Sequence, residues 1–220
     1  YFWTFGDGTN ATGVVVTHAY ADNGSYTVIL TIRDNDGATA TATAVKTVLN
    51  RPPVASFTES ATTVLTGEVI FFNASGSYDP DGFIINYRWN FGDGNITTVI
   101  TPIINHAFIA FGNRTVTLTA TDNDGGAGTT TQIVRIRDYP TAAFTYSPSS
   151  PIAGQTVTFN ASSSNPNGGV ITSYLWNFGD DTSSVNTTSP ITTHVYSAVG
   201  NYTVTLTVVD SEGLSNTVTH

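Results

Sequence analysis

One six-residue phrase occurs three times in this chain. Trp3-Thr4-Phe5-Gly6-Asp7-Gly8 returns as Trp89-Asn90-Phe91-Gly92-Asp93-Gly94 and again as Trp176-Asn177-Phe178-Gly179-Asp180-Asp181, at intervals of 86 and 87 residues. His18, His106 and His194 follow at intervals of 88, as do Asp34, Asp122 and Asp210. Three landmarks with one period mark a chain assembled from repeated units, each with its own small core. The period implies a partial unit over residues 1–50, a complete one over 51–138 and a third over 139–220.

Inside each unit the apolar residues alternate with polar ones, the signature of half-buried strands. Tyr26, Val28, Leu30 and Ile32 alternate with Thr27, Ile29, Thr31 and Arg33. Val116, Leu118 and Ala120 alternate with threonines, and Tyr202, Val204, Leu206 and Val208 repeat the pattern. Threonine suits the outward face because its β-branch favours extended backbone. Gly-Asp-Gly, Asp-Pro-Asp-Gly and Asn-Asp-Gly punctuate the strands as turns. The reading is all-β: tandem immunoglobulin-like β-sandwiches. In the middle unit, strands are expected at Ala55 to Phe57, Val69 to Asn73, Tyr87 to Phe91, Arg114 to Asp122 and Gln132 to Arg137. The first unit begins at its tryptophan strand. The third stops at His220, level with Ala44 and Gln132, before the apolar centre of a last strand.

Composition excludes several functions. Seven basic against 16 acidic residues give a formal net charge of −9, so no basic patch is expected to neutralise phosphates or to adhere to an anionic membrane. The absence of cysteine removes disulfides and thiolate chemistry. No apolar run reaches the roughly 20 residues that span a bilayer, so direct membrane insertion is not expected. No signal peptide is seen, and any targeting segment or anchor is expected outside this sequence.

The repeated landmarks resemble the PKD (polycystic kidney disease) domain family, whose pattern is an aromatic strand ending in Trp-x-Phe-Gly-Asp-Gly, then His-x-Tyr, then Gly-x-Tyr-x-Val-x-Leu-x-Val-x-Asp. The first unit carries His18-Ala19-Tyr20, Gly24-Ser25-Tyr26 and Asp34; the third carries His194-Val195-Tyr196, Gly200-Asn201-Tyr202 and Asp210. The middle unit departs at Phe108 and at Arg114, which stand where the family has tyrosines, and the third has Asp181 where it has glycine. The resemblance spans essentially the whole chain. It implies extracellular spacer or adhesion modules, some of which accompany catalytic domains in secreted hydrolases.

Residue by residue, the structural readings prevail over the chemical ones. Trp3, Trp89 and Trp176 could stack on sugars, but alternation puts each on the face of Phe5, Phe91 or Phe178, as core. One histidine per unit cannot converge on a single ion, so a hydrogen bond to the Gly-Asp turn is expected instead. Asp7 and Asp93 are expected to cap their own loops. Tyr26 and Tyr202 are expected to act as tyrosine corners, and Arg114 is expected to be unable to do so. No Gly-x-Ser-x-Gly or His-Glu-x-x-His phrase occurs, and no enzymatic activity is expected.

Calcium is the stronger chemical expectation, confined to the middle unit. Asp79-Pro80-Asp81-Gly82 sets two carboxylates on one turn, and Asp122 and Asp124 lie on another that could meet it. Some PKD domains resemble this in binding calcium at that end. The third unit reads Asn165-Pro166-Asn167-Gly168, without either charge, and an ordinary turn is the alternative for the middle one. Eight Asn-x-Ser/Thr sequons, at Asn10, Asn23, Asn73, Asn95, Asn113, Asn160, Asn186 and Asn201, mark candidate N-linked glycans on exposed loops.

The function expected from these features is a structural repeat of an extracellular fibre, surface layer or adhesin. Its partners would be copies of itself or flanking repeats of the same chain, head to tail, and nucleic acid would not be among them. The alternative is an accessory substrate- or carbohydrate-binding region of a secreted hydrolase.

Overall fold

Threonine-rich alternation produces strands and nothing else: the structure, a computed structural model, describes residues 1–220 and contains no helix. The first repeat forms one antiparallel sheet. Its strands are β1 (Phe2–Thr4), β2 (Asn10–Thr12), β3 (Gly24–Arg33) and β4 (Thr39–Val48), in the order β2-β1-β3-β4.

The middle repeat supplies two sheets. One contains β5 (Thr58–Glu59), β7 (Val69–Asn73) and β10 (Ile103–Ala107), in the order β10-β7-β5. The other contains β6 (Thr63–Leu65), β8 (Ile84–Asn90), β9 (Ile96–Val99), β11 (Gly112–Asp122) and β12 (Ala127–Arg137), in the order β6-β12-β11-β8-β9. The third repeat repeats the scheme. It has β13 (Thr145–Ser147), β14 (Thr156–Asn160) and β17 (Ile191–Val195) in the order β13-β14-β17. Its second sheet is β16-β15-β18-β19, made of β15 (Ile171–Asn177), β16 (Val185–Thr187), β18 (Thr205–Asp210) and β19 (Ser215–Thr219).

The repeats share one register. Trp3 pairs with Leu30, Trp89 with Leu118 and Trp176 with Leu206, each across an antiparallel ladder. Gly6, Gly92 and Gly179 then turn the chain with φ of +84°, +73° and +74°. A Cβ there would lie within 3 Å of the backbone of Thr27, Thr115 or Thr203, so the turn demands glycine on two counts.

The structure falls into two compact units that divide the middle repeat. The first comprises Tyr1–Ser60, Ile70–His106 and Thr115–Ile133, and the second Ala61–Val69, Ala107–Arg114 and Val134–His220. In the first, Trp89 is fully buried with Phe57 5.1 Å away edge-on and Phe72 5.7 Å away tilted, and Phe91 lies parallel to it. In the second, Trp176 is fully buried among Phe144 at 5.2 Å, Phe159 at 5.7 Å and a parallel Phe178. Such edge-on and offset pairs stabilise by about 0.5–1.5 kcal/mol each beyond area burial. Trp3, in the single sheet of the first repeat, is only half-buried, and its indole N–H donates to Gly13 O at 3.0 Å.

One expected strand is corrected. Ala55 to Phe57 forms no strand, and the ladder begins at Thr58. The preceding backbone is used instead as a cover. Val54 makes an isolated bridge to Tyr78, and Phe57 O accepts from the Gln132 amide at 2.6 Å. Gly128 leaves room for Pro53, whose carbonyl would lie 1.8 Å from any Cβ there. A short parallel pairing of β6 with the end of β12, Arg135 opposite Thr63, joins strands far apart in sequence. Nothing in local periodicity announces it.

Candidate functional site

Each Gly-Asp turn carries the same bracket. Asp7 Oδ1 accepts from the Thr9 N–H at 3.0 Å and the Thr9 hydroxyl at 2.7 Å, while its Oδ2 lies 2.6 Å from His18 Nε2. Asp93 and Asp180 repeat this with Asn95 and His106, and with Thr182 and His194, the histidine contacts at 2.7 Å. Each imidazole lies flat on the phenylalanine of its own turn, with ring centres 4.0–4.1 Å apart. The hydroxyl of Thr9, then its N–H and His18, hold the Asp7 carboxyl down at about 2 against partial desolvation. Burial opposes ionisation at Asp93 and Asp180. Hydrogen bonds from Asn95 and His106, and from Thr182 and His194, outweigh it and keep both below the ordinary range. These contacts of the bracket all lie inside its own repeat.

The tyrosine corner has an unexpected third version. Tyr26 Oη donates to Asp22 O at 3.0 Å and Tyr202 Oη to Ala198 O at 2.9 Å. In the middle repeat Arg114 occupies that position, and its Nη2 donates to Ala110 O and Phe111 O, each at 3.3 Å. Ala110 lies 88 residues after Asp22 and before Ala198, so the guanidinium reaches the same carbonyl as the phenols. The expectation that Arg114 could not close this corner is therefore corrected: a long planar donor substitutes for a rigid aromatic one. At Asp181 the backbone takes φ +63°, the left-handed conformation that Gly8 and Gly94 adopt in the other two turns.

The Asp-Pro-Asp-Gly end gathers several buried oxygens that have no partner. Both carboxylate oxygens of Asp79, Oδ1 of Asp81 and Oδ1 of Asn50 are buried with no hydrogen-bond partner. Asp122, wholly buried at the end of β11, has Oδ1 on the N–H groups of Asp124 and Gly126 at 2.9 and 2.7 Å. Its Oδ2 accepts from Asn50 Nδ2 at 2.9 Å. The Asn50 amide, then the turn N–H groups, hold Asp122 below its ordinary value. Desolvation, with the charges of Asp122 and Asp81 nearby, pushes Asp79 up. Asp81 Oδ2 accepts from the Arg51 N–H at 3.1 Å, with Arg51 Nε 3.5 Å away. Gly82 and Gly126 leave space at this end: a Cβ on either would fall 2.7 Å or less from an Asp79 or Asp122 oxygen.

A buried acceptor without a donor costs about 1–3 kcal/mol, more for a charged group, so four such oxygens at one end are costly as they stand. The set fits a hard, oxygen-seeking cation in chemistry. No three acidic or histidine side chains are gathered into one metal-binding group. The acceptors are shared between carboxylates and one carboxamide.

The structure brings Asp79, Asp81 and Asp122 to this end and leaves Asp124 out. The Asp124 carboxylate is exposed, takes a bond from Asn123 Nδ2 at 2.6 Å, and faces the Asn23 side-chain amide at 3.0 Å. Asn50 was missed by sequence reasoning. Its only signal is its place immediately before the stiff Arg51-Pro52-Pro53 linker. Of the sequon asparagines, Asn10, Asn73, Asn95, Asn113, Asn186 and Asn201 are exposed, while Asn23 and Asn160 are half-buried.

Comparison with known proteins matches PKD domain models along most of the chain. One PKD domain family model matches residues 143–220, and a second, also described as a PKD domain, matches 1–48 and 50–137. The human dyslexia-associated protein KIAA0319 is 30% identical over 227 aligned residues, which cover 96% of this chain and 21% of that protein. A microbial collagenase of Vibrio alginolyticus is 45% identical over 67 residues, covering 30% of this chain and 8% of the collagenase. Among solved structures, the PKD1 domain of Vibrio anguillarum Epp is 30% identical, with a TM-score of 0.35; the match covers 40% of this chain and 96% of that one. The chain spans about a fifth or less of the length of these curated relatives.

Proposed function

The chain belongs to the PKD domain family, and from that premise we propose that it is a non-catalytic accessory region of a longer extracellular protein, of the kind that carries a hydrolase. The observation that supports this best is how each repeat spends its reactive residues. The histidines, Gly-Asp aspartates and tyrosines that would be needed for chemistry are bonded to their own loops. The matches to a collagenase and to the pre-pro-metalloprotease PrtV of Vibrio cholerae support the same setting. The role is to space and orient what flanks it, through repeats joined by linkers as short as Arg51-Pro52-Pro53.

A calcium ion belongs to this proposal. Asp79 and Asp81, with the Asn50 carboxamide oxygen, would hold it beside Asp122, and its charge would offset the repulsion among these carboxylates. Asn50 and Arg51 begin the linker, so ligation there would tie the linker to the middle repeat. N-linked glycans at the six exposed sequon asparagines are a further part of the proposal.

The chain itself tests the reading. Incubated with fibrillar collagen and with insoluble chitin, it should neither cleave nor be retained, and it should sediment as a monomer at all concentrations. Retention on either substrate would replace spacing by substrate binding. Growth of the sedimentation coefficient with concentration would favour a self-assembling fibre instead.

A further inference from the structure

Beyond the cation end of the middle repeat, a second set of polar contacts lies where β12 runs out and the third repeat begins, all of it within the second compact unit. Along β12, Val134 and Ile136 point inward and are buried, so Arg135 and Arg137 share the outward face. Both guanidinium groups form ion pairs with one carboxylate, that of Glu212. Arg137 Nη2 also donates to the Glu212 main-chain carbonyl at 3.0 Å. Glu212 is not on a loose loop. Its N–H and that of Leu214 are both held by Asp210 Oδ1 at 2.8 Å, so the turn presents the carboxylate from a fixed backbone.

Two more contacts accompany this triad. Phe111 packs against Gly168, where a Cβ would come within 3.2 Å of its ring and where φ is +111°. Asn167 turns its amide onto the linker, donating to Tyr139 O at 2.8 Å and to Thr141 Oγ1 at 3.1 Å. Together these residues line a cleft of about 310 Å³.

The equivalent positions one period earlier carry none of this chemistry. Thr47 and Leu49 stand 88 residues before Arg135 and Arg137, and Asp124 stands 88 before Glu212. There a carboxylate meets only the neutral amides of Asn23 and Asn123. We infer that the junction after Arg137 is an ion-pair clamp, in which Arg135 and Arg137 grip Glu212 and fix the third repeat's orientation without any divalent cation. An isolated exposed ion pair contributes about 0–1 kcal/mol. Here two cations share one acceptor whose backbone is already ordered, which lowers the entropy lost on closing. Such a clamp loosens with ionic strength, because the screening length falls from about 10 Å at 0.1 M to about 3 Å at 1 M salt. The inference does not depend on the proposed spacer role.

The chain contains no cysteine, so Val69→Cys and Thr158→Cys, both at exposed strand positions within the second compact unit, give two unique sites for spin labels. The inter-label distance distribution of the full chain should be a single narrow peak at low salt, unchanged by chelator. It should broaden in about 1 M salt, and at low salt in Glu212→Gln. Circular dichroism should be unchanged in that variant. Reversing all three charges, Arg135→Glu and Arg137→Glu with Glu212→Arg, should restore the narrow peak. A distribution in Glu212→Gln as narrow as in the parent would overturn the clamp, and so would broadening on chelation alone.

Discussion

The middle and third repeats have the same core and opposite chemistry at one end. In the middle repeat, Asp79 and Asp81 crowd beside Asp122, with buried oxygens that no protein group satisfies. In the third, Asn165 and Asn167 stand in their places, and the turn closes on itself. Asn165 Oδ1 accepts from the Asn167 N–H at 2.9 Å, and the Asn167 amide reaches the linker. The difference is one of valence. A carboxylate only accepts, whereas a carboxamide also donates two protons. Replacing Asp by Asn at two positions turns an end with unpaired buried acceptors into one whose amides pair with the turn and the linker, while the tryptophans behind both ends keep the same ring geometry.

The comparison first requires that the cores be equivalent, and that carries the largest expected effect. Trp89→Ala and Trp176→Ala should each destabilise their repeat by about 3–5 kcal/mol, as large core truncations do. Urea unfolding followed by circular dichroism measures this, and a loss at one position alone would show the cores to be different.

The cation comes next. Millimolar calcium should raise the melting temperature of the middle repeat by mass action, about 2.7 kcal/mol at a hundredfold excess over Kd. Asp79→Asn with Asp81→Asn should abolish the response. Calorimetry that finds equal melting with calcium and with chelator would falsify the site. The converse variant, Asn165→Asp with Asn167→Asp, sharpens the test: it should destabilise the third repeat without making it respond like the middle one, because Asp138 stands where the middle repeat has Asn50. The Asp138 Oδ1 is already taken by Thr66 Oγ1 and the Tyr139 N–H.

At the corner, Tyr202→Phe should cost about 1 kcal/mol, the worth of one hydrogen bond. Arg114→Tyr in the middle repeat should be close to neutral in the same thermal assay, since both side chains serve the Ala110 carbonyl. If Arg114→Ala is equally neutral, the guanidinium has no such role.

The smallest effect is pH-dependent and should appear at all three turns. Asp7, Asp93 and Asp180 all have folded-state values below their ordinary ones. Their ionised forms therefore stabilise the fold above the unfolded carboxylate pKa, about 3.9, and that contribution fades as pH falls through the folded value. For Asp7 the window runs from about 4 down to about 2. Carbon-13 titration of the carboxyl should place its midpoint near the lower end, and Thr9→Val should move it up more than His18→Ala does.

By itself the sequence determined the strands and the repeat. Period-two alternation and a recurring Trp-x-Phe-Gly-Asp phrase fix which residues face inward, because the pleat allows only two faces and glycine alone fits the turn after Phe91. The pairing of Asp7 with His18 was legible too, since the two lie 11 residues apart and recur together. Only the tertiary structure decided what distant segments bring to a shared point. It placed Asn50 on Asp122, 72 residues away, and set Asp124 aside. It carried Arg114 to a carbonyl that tyrosines serve elsewhere, and Arg135 and Arg137 to Glu212. Local pattern encodes the direction in which a side chain leaves the strand. Which partner meets it depends on how loops from separate strands converge at a sandwich end, and no period in the sequence records that.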